Sequence, residues 1–223
     1  MIKSILFLSK KNCKYSTKLK KEVNKITHKL YHIQSLNLKD VLNKKKIPKK
    51  IDYIICFRSY YILDLEIIRR AKYGAINFHP SLPKYRGVGG VNYALYNNDK
   101  YFGSTAHIIN QKIDNGDIIH VKKFRIFKTD NLVSLLEKCH FKMLNQALFI
   151  IRKLKTNNLF LKKQIKKSRK YKWGKYKSLK QLNDFYEINK NVSENQLKRK
   201  IKSTLINDYK PYIKLHNNIF YLK

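Results

Sequence analysis

Acidic residues are scarce in this sequence. Its 223 residues include 14 Asp and Glu against 50 Lys and Arg, so the formal net charge is +36. A charge of this size favours polyanionic partners, such as RNA, DNA, anionic membranes or phosphorylated small molecules. The basic residues are spread along the whole chain, however, and Asn, Ile, Tyr and Phe are abundant. That pattern favours the alternative explanation, in which the charge reflects drift in amino-acid usage, as an AT-rich genome would cause.

Cysteine and long apolar segments are scarce as well. The three cysteines, Cys13, Cys56 and Cys139, form no CxxC pair, which excludes a disulfide framework and fits a reducing cytoplasm. Neither the cysteines nor the histidines show the spacing of a zinc site, so we expect no metal. No apolar run approaches the roughly 18 residues that a membrane helix needs, so we expect no membrane partner. The opening MIKSILFLSKKN is charged too soon for a signal peptide and is predicted to be a buried strand.

Hydrophobic residues make up 43% of the chain, which is enough for an ordinary core. Short apolar runs predict strands at residues 5–9, 51–57 and 75–78. Apolar residues at helical spacing predict one helix from Ser16 to about Lys29 and another over 63–74, which would end at Gly74 as a C-terminal cap. Strands that alternate with helices in this way predict an α/β fold with a parallel sheet.

The middle of the sequence predicts an antiparallel extension of this sheet. A helix over 91–99 precedes two strands, 104–110 and 117–127, which would pair around a turn at 113–117. A long amphipathic helix is predicted over 131–155.

The C-terminal part predicts a small appendage. Residues 156–180 are basic and low in apolar residues, so we expect a loop or linker between a main domain, 1–155, and an appendage, 181–223. In the appendage we expect a helix that begins after the N-cap residue Ser193. The tail predicts a β-hairpin that turns at Asn217-Asn218.

Candidate functional residues fall at the ends of predicted strands or in turns: Asn77, His79, His107 and Asp114. Ligands of parallel sheets bind at the carboxyl ends of the strands, so these residues would converge on one cleft. An Asn amide donates to a developing oxyanion, a His can do so or carry a proton, and an Asp can accept a proton through water. The set suits acyl transfer to an amine. Each residue also has a structural interpretation, such as an Asx-turn of Asp114 with Gly116.

Two stretches, GAINFHPSLPKYRG and FGSTAHIINQKIDNGDII, resemble the folate-dependent formyltransferase family. That family includes glycinamide ribonucleotide formyltransferase, methionyl-tRNA formyltransferase and the sugar-nucleotide N-formyltransferases. The match covers residues 50–127 and is weaker elsewhere. The residues that carry it are Asn77, His79, Pro80, Ser81, Leu82, Pro83, Gly103, Thr105, His107, Asp114 and Gly116.

The resemblance implies a Rossmann-like formyltransferase sheet with helices on both faces, plus a small C-terminal α+β appendage. Residues 1–155 would be the catalytic domain. The implied reaction transfers a formyl group from 10-formyltetrahydrofolate, as cosubstrate, to a primary amine. Asn77 and His79 would stabilise the oxyanion. Asp114 would set the protonation of His79 and order a water that relays the amine proton.

The same resemblance implies a folate pocket, formed largely by backbone near residues 57–63 and in the 113–117 turn. The residues implied to bind the cosubstrate are Phe57, Arg58, Ile62, Leu63, Ile113 and Gly116. Arg58 has an equally good interpretation as a solvated loop arginine. Thr105 and His107 would support the catalytic residues without touching the substrate.

The amine acceptor is predicted from what the chain lacks relative to the members of this family. After the first strand the chain has SKKNCKYS, without the glycines that would cradle the phosphate of glycinamide ribonucleotide. The segment after residue 155 is shorter than the β-barrel of the methionyl-tRNA enzyme. A nucleotide-linked amino sugar is therefore the predicted acceptor, with methionyl-tRNA as the alternative and a homodimer as a possible assembly. The loop after His79 also has one residue fewer between Ser81 and Pro83 than is usual in the family.

A non-catalytic, basic RNA-binding protein is the alternative from another class. Its best candidate segment is KSRKYKWGKYKSLK, residues 167–180, where Tyr171, Trp173 and Tyr176 lie among lysines and could stack on bases. The structural alternative is a solvated linker whose aromatic residues pack on the body of the protein. Retention of RNA that falls as salt rises would separate the two.

Overall fold

A six-stranded mixed sheet organises the computed structural model, which describes residues 2–156, 159–206, 209–216 and 218–222. The strands are β1 (Ile2–Lys10), β2 (Thr27–Ser35), β3 (Ile51–Phe57), β4 (Ala71–His79), β5 (Tyr101–Ile108) and β6 (Ile118–Arg125). Their order across the sheet is β2-β1-β3-β4-β5-β6. The first four strands of this order are parallel, and β5 and β6 each pair antiparallel with the preceding strand. The predicted α/β fold is confirmed.

Helices cover both faces of this sheet. They are α1 (Lys14–Asn24), a 3-10 helix (Lys44–Lys46), α2 (Leu65–Arg69), α3 (Gly90–Tyr96), α4 (Leu132–Thr156), α5 (Phe160–Ser168), α6 (Leu179–Phe185) and α7 (Glu194–Thr204). Successive side chains of β1 point to opposite faces. Ile5 and Phe7 join the core beneath α1, α4 and α5, whereas Leu6 and Leu8 join a second core with Ile67 of α2. In the described part of the chain, no helix has the length and apolarity to cross a membrane.

The C-terminal helices pack on α3. The Asn92 amide of α3 donates to the Ser203 carbonyl oxygen of α7 at 2.8 Å. The predicted N-cap Ser193 is confirmed, because its side chain caps α7 in a capping box. The hairpin is also confirmed, and consists of β7 (Tyr212–Leu215) and β8 (Asn218–Tyr221). The turn was predicted at Asn217-Asn218, but Asn218 lies in β8 and pairs with Leu215, so the turn comes earlier; Asn217 lies outside the described residues.

The helix predicted from Ser16 to about Lys29 is too long. α1 ends at Asn24 and is followed by β2, which pairs parallel with β1. Ile26 and Leu30 fit helical spacing, but in THKLYHIQS the residues Thr27, Tyr31 and Ile33 have side chains that favour a strand. β2 is an edge strand with partly exposed side chains, so its sequence lacks the continuous apolar run that predicts a buried strand.

The prediction that Gly74 caps a helix is also wrong. α2 ends at Arg69, and Gly74 lies inside β4 with φ of 131°. The β3–β4 register shifts there, between Ile51 and Tyr53. Residues with a side chain rarely adopt this φ, so the glycine serves a β-bulge rather than a helix end.

The segment 156–180, predicted as loop or linker, contains a helix. α5 packs on the sheet, and its Phe160 and Leu161 are buried in the main core. These apolar residues are too few for composition to indicate a helix, although Phe160, Leu161 and Ile165 stand at helical spacing. The division into a catalytic domain, a linker and an appendage stays a prediction.

The strand register places the carboxyl ends of the parallel strands side by side. Ser9 of β1 pairs with Phe57 of β3, and Cys56 of β3 pairs with Asn77 of β4. Ligands of parallel sheets bind at this edge. The loop that follows His79 begins there.

Candidate active site

The pairing of β4 with β5 brings the two sequence motifs together. In this antiparallel register Asn77 lies opposite His107, and His79 lies opposite Thr105. Residues two apart on a strand point to the same face, so all four side chains share one face of the sheet. Asp114, from the turn between β5 and β6, joins them. The predicted convergence of Asn77, His79, His107 and Asp114 is thus present in the structure.

The Asn77 amide nitrogen is the central donor of this cluster. It lies 3.1 Å from Nε2 of His107 and 3.3 Å from Oδ1 of Asp114. Nδ1 of His107 lies 2.8 Å from the Ile108 carbonyl oxygen, which can only accept, so Nδ1 carries a proton. In the neutral ring Nε2 therefore accepts from Asn77, and in the doubly protonated ring Nε2–H donates to Oδ1 of Asp114 at 3.3 Å. One N–H of Asn77 points to His107 and the other to Asp114.

His79 is held by the loop that follows it. Its Nε2–H donates to the Tyr85 carbonyl oxygen at 3.0 Å, and its Nδ1 lies 3.4 Å from Oδ2 of Asp114. The loop turns early, because the Tyr85 N–H donates to the Leu82 carbonyl oxygen at 2.9 Å. The loop therefore returns to His79 even with one residue fewer than the family usually has.

Asp114 is the only carboxylate that touches both imidazoles among the described residues, and 11% of its side chain is exposed. Burial raises the pKa of this carboxyl. Attraction to His79, the hydrogen bond with His107 and the Gly87 N–H outweigh that effect, so the Asp114 pKa lies below its usual value. Asp114 has φ of 43°, a left-handed conformation that Asp tolerates in turns. The part of the chain that the structure describes holds no His, Cys, Asp and Glu group suited to a metal ion.

The remaining motif residues of β5 support the loop rather than the chemistry. The Thr105 hydroxyl donates to the Ser81 carbonyl oxygen at 2.7 Å, inside the core. A Cβ at Gly103 would lie 2.2 Å from the Lys122 carbonyl oxygen and 2.8 Å from a methyl group of Leu82. Glycine and threonine at these positions therefore let the loop lie close against the sheet.

The residues predicted to bind folate differ in how far their side chains are exposed. The Phe57 side chain is fully buried in the core, so only its backbone can face a ligand. Leu63 is 7% exposed, whereas Ile62 is 76% and Ile113 is 42% exposed. Gly116 is confined, because a Cβ there would lie 1.9 Å from the Ile108 carbonyl oxygen.

Arg58 is neither free in solvent nor aimed at the catalytic cluster. Its guanidinium donates to Sγ of Cys13 at 3.2 Å, and its φ is 55°. Burial raises the pKa of the Cys13 thiol, but hydrogen bonds from Ser16 and the charge of Arg58 hold that pKa below its usual value. The structure therefore ties Arg58 to the start of α1.

Trp173 is a neighbour of the cluster whose contact with the histidines the sequence did not predict. Its ring centroid lies 5.1 Å from that of His107 and 6.1 Å from that of His79. Its Nε1–H donates to the Gly116 carbonyl oxygen at 2.8 Å. Sequence reasoning placed this residue in a basic linker. The alternative in which the aromatic residues of this segment pack on the body of the protein is the one that the structure shows for Trp173.

Fold and site together define a member of a known family. Residues 5–150 match the formyl transferase family, and the chain belongs to it. The chain is 39% identical over 123 residues to the bifunctional polymyxin resistance protein ArnA of Wigglesworthia glossinidia brevipalpis, which covers 50% of this chain and 19% of that protein. It is 37% identical over 97 residues to the methionyl-tRNA formyltransferase of Clostridium tetani, which covers 42% of this chain and 31% of that protein. The chain thus matches between 19% and 31% of the length of these curated relatives.

Solved structures resemble the fold over nearly its whole length. A 4-N formyltransferase from Francisella tularensis superposes with a TM-score of 0.72 at 18% identity, over 98% of this chain and 96% of that chain. The N-formyltransferase from Helicobacter canadensis, in complex with folinic acid and dTDP-3-aminofucose, superposes with a TM-score of 0.67 at 18% identity. That superposition covers 97% of this chain and 85% of that one. The predicted family and fold are therefore confirmed.

Proposed function

We propose that this protein transfers the formyl group of 10-formyltetrahydrofolate to a primary amine. The observation that supports this most is the meeting of Asn77, His79, His107 and Asp114 at the carboxyl edge of the sheet, in a chain of the formyl transferase family. The folate supplies an activated formyl group. The cluster supplies two hydrogen-bond donors and a base, which fits direct transfer between two nitrogen atoms.

Asn77 and His79 would stabilise the negative charge that develops on the formyl oxygen. In the structure their N–H groups donate to acceptors of the protein: those of Asn77 to His107 and Asp114, and that of His79 to the Tyr85 carbonyl oxygen. A formyl oxygen at this place would take over one N–H from each residue. Hydrogen bonds of this kind often form fully only when the substrate is bound.

Asp114 would manage the proton of the amine. Its lowered pKa keeps the carboxyl ionised at neutral pH. The amine loses a proton as its bond to the formyl carbon forms, and the leaving nitrogen must gain one. A water molecule held by the Asp114 carboxylate can relay the proton between them, while the same carboxylate orients His79.

We place the folate along the backbone that follows β3 and along the turn that contains Asp114. Ile62 and Ile113 are exposed enough to contact its ring. Phe57 would contribute through its backbone alone, and Leu63 would form the floor of the pocket. In this arrangement Arg58 keeps its contact with Cys13 and does not bind the folate.

The acceptor we propose is a nucleotide-linked amino sugar. The support is the likeness to sugar N-formyltransferases over almost the whole chain, including the Helicobacter protein solved with dTDP-3-aminofucose. The net charge of +36 would also suit a nucleotide diphosphate. Methionyl-tRNA is the second candidate, favoured by the sequence similarity to methionyl-tRNA formyltransferases over 42% of the chain.

The test is a transfer assay with three acceptors. The full chain is incubated with 10-formyltetrahydrofolate and either a dTDP-linked amino sugar, methionyl-tRNA or glycinamide ribonucleotide. We expect the amino sugar to be formylated, with a loss in turnover on the order of 10² to 10³ in His79→Ala. His28→Ala, in an exposed position of β2, is the matched control and should retain full turnover.

Each other outcome has a definite meaning. Formylation of methionyl-tRNA alone would keep the reaction and replace the acceptor. No transfer to any of the three acceptors would contradict the proposal. Absence of folate binding together with salt-dependent retention of RNA would favour the RNA-binding alternative.

A further inference from the structure

Residues 171–178 lie along the loop that follows His79 and form one β-bridge with it, between Lys177 and Gly87; we refer to this segment as the strap. The Gly174 N–H donates to the Pro83 carbonyl oxygen at 3.0 Å. The Lys177 N–H donates to the Arg86 carbonyl oxygen, and the Lys177 carbonyl oxygen accepts from the Val88 N–H, both at 3.0 Å. The strap and the loop are therefore joined by three backbone hydrogen bonds between Pro83 and Val88.

The two backbones approach so closely that side chains do not fit between them. A Cβ at Gly174 would lie 2.3 Å from the Lys84 carbonyl oxygen. A Cβ at Gly87, whose φ is 88°, would lie 2.2 Å from the Lys177 carbonyl oxygen. The close approach of the two backbones therefore requires glycine at both positions.

The strap places the ring of Trp173 beside His107 and His79. The indole ring meets His107 edge-on, at an interplanar angle of 84°, and meets His79 at 62°. The Nε1–H donates to the carbonyl oxygen of Gly116, two residues after Asp114. One side chain thus contacts both imidazoles and the turn that carries the carboxylate.

We propose that Trp173 is a positioning residue of this site: its ring holds the imidazoles of His79 and His107 in place, and its N–H holds the turn that carries Asp114. The inference rests on the proposed formyl transfer. It assigns Trp173 to the active site, as a wall of the cleft, and not to a linker or an RNA-binding surface. The strap also keeps water from that side of the cluster, because the indole is a large apolar group.

The consequence for catalysis follows from orientation. The imidazole of His79 must present its N–H to the formyl oxygen while Asp114 stays beside it. Small misplacements of such groups cost up to about a hundredfold in rate. Trp173→Leu should therefore lower kcat about tenfold to a hundredfold, with KM changed much less. Trp173→Phe keeps an aromatic ring and loses the bond to Gly116, so it should recover part of the lost kcat.

A matched control lies on the same strap. The ring of Tyr171 packs against two lysines: Nζ of Lys123 in β6 and Nζ of Lys170 each lie 5.5 Å from the ring centroid. Tyr171→Leu should therefore leave kcat close to that of the wild type. An equal loss in Tyr171→Leu and Trp173→Leu would mean that the strap has only a structural role, and would overturn the inference.

A second measurement needs no turnover. The chain has one tryptophan, so its nitrogen–proton NMR spectrum should show one indole signal. We expect this signal to move when folinic acid is added. We also expect the ring protons of His79 and His107 to shift in Trp173→Phe, because the indole no longer lies beside them, and to stay in place in Tyr171→Leu. An indole signal and histidine signals that do not respond would overturn the inference.

The two measurements separate this inference from the proposed function. Wild-type transfer with unchanged kcat in Trp173→Leu would contradict the role of Trp173 alone. Absence of transfer in the wild type would contradict the proposed function, and the inferred catalytic role of Trp173 with it, while the histidine signals would still report whether the packing exists. If Trp173→Leu does not fold, Trp173→Phe and the wild-type indole signal decide the question.

Discussion

Nδ2 of Asn77 lies 3.1 Å from Nε2 of His107, across the antiparallel pair of β4 and β5. The Nδ1–H of His107 donates to the Ile108 carbonyl oxygen, so Nε2 of the neutral ring is left to accept from Asn77. This contact orients the amide that we propose as an oxyanion donor. The same contact links the two sequence motifs, because Asn77 belongs to the first and His107 to the second.

Replacing His107 should therefore impair catalysis without removing a group that touches the substrate. His107→Phe removes the acceptor and frees the Asn77 amide to rotate. We expect kcat to fall about tenfold to a hundredfold through misplacement of that amide. Steady-state kinetics with the acceptor that the transfer assay identifies would measure it.

The control is His107→Gln, whose side-chain oxygen can accept from Asn77. We expect it to recover part of the lost kcat. Equal kcat in His107→Phe and the wild type would show that Asn77 does not depend on this contact.

Thr105 should matter for stability rather than for turnover. Its hydroxyl donates to the Ser81 carbonyl oxygen at 2.7 Å, and both residues are buried. Thr105→Val leaves that carbonyl oxygen without a partner and should lower the free energy of unfolding by about 1 to 3 kcal/mol. Thr105→Ser keeps the hydroxyl and should lose less. Denaturant unfolding of the two variants measures the difference, and a Ser variant as unstable as the Val variant would count against the hydrogen bond.

His140 of α4 should make the fold sensitive to acid. Burial, reinforced by the charge of Arg58, lowers the pKa of His140 from 6.5 to about 3. In the unfolded chain the same group binds a proton below its ordinary pKa. The stability that comes from a neutral His140 is thus fully present above pH 6.5 and is lost as the pH falls towards 3.

The matching experiment compares the free energy of unfolding of the wild type and of His140→Gln, which cannot be protonated, at several pH values. We expect the wild type to lose more stability than the variant between neutral pH and the acidic end of that window. Parallel curves for the two proteins would show that His140 titrates alike in the folded and unfolded chains.

The central features of the sheet and the cluster could be predicted from local sequence. Apolar runs predict buried strands, and Asn77, His79 and His107 lie at the ends of such runs. Asp114 and Gly116 are typical turn residues. Short-range patterns therefore predicted which side chains meet at the carboxyl edge.

Other features depend on contacts between distant parts of the chain, which local patterns do not contain. β2 is a partly exposed edge strand whose residues also fit helical spacing, so only its pairing with β1 identifies it. Trp173 reaches the cluster because Gly174 and Lys177 pair with the loop after His79, far away in sequence. Arg58 contacts Cys13 because β1 and β3 are neighbours in the sheet.

The most direct test of the account is a single-turnover assay of formyl transfer in the wild type and Asn77→Ala, with folding checked by circular dichroism. Asn145→Ala, on an exposed surface of α4, is the matched control. If Asn77 stabilises the developing oxyanion, the rate of transfer should fall by a factor on the order of 10² to 10³ in Asn77→Ala and stay unchanged in the control. A folded Asn77→Ala protein that transfers the formyl group at the wild-type rate would contradict the account.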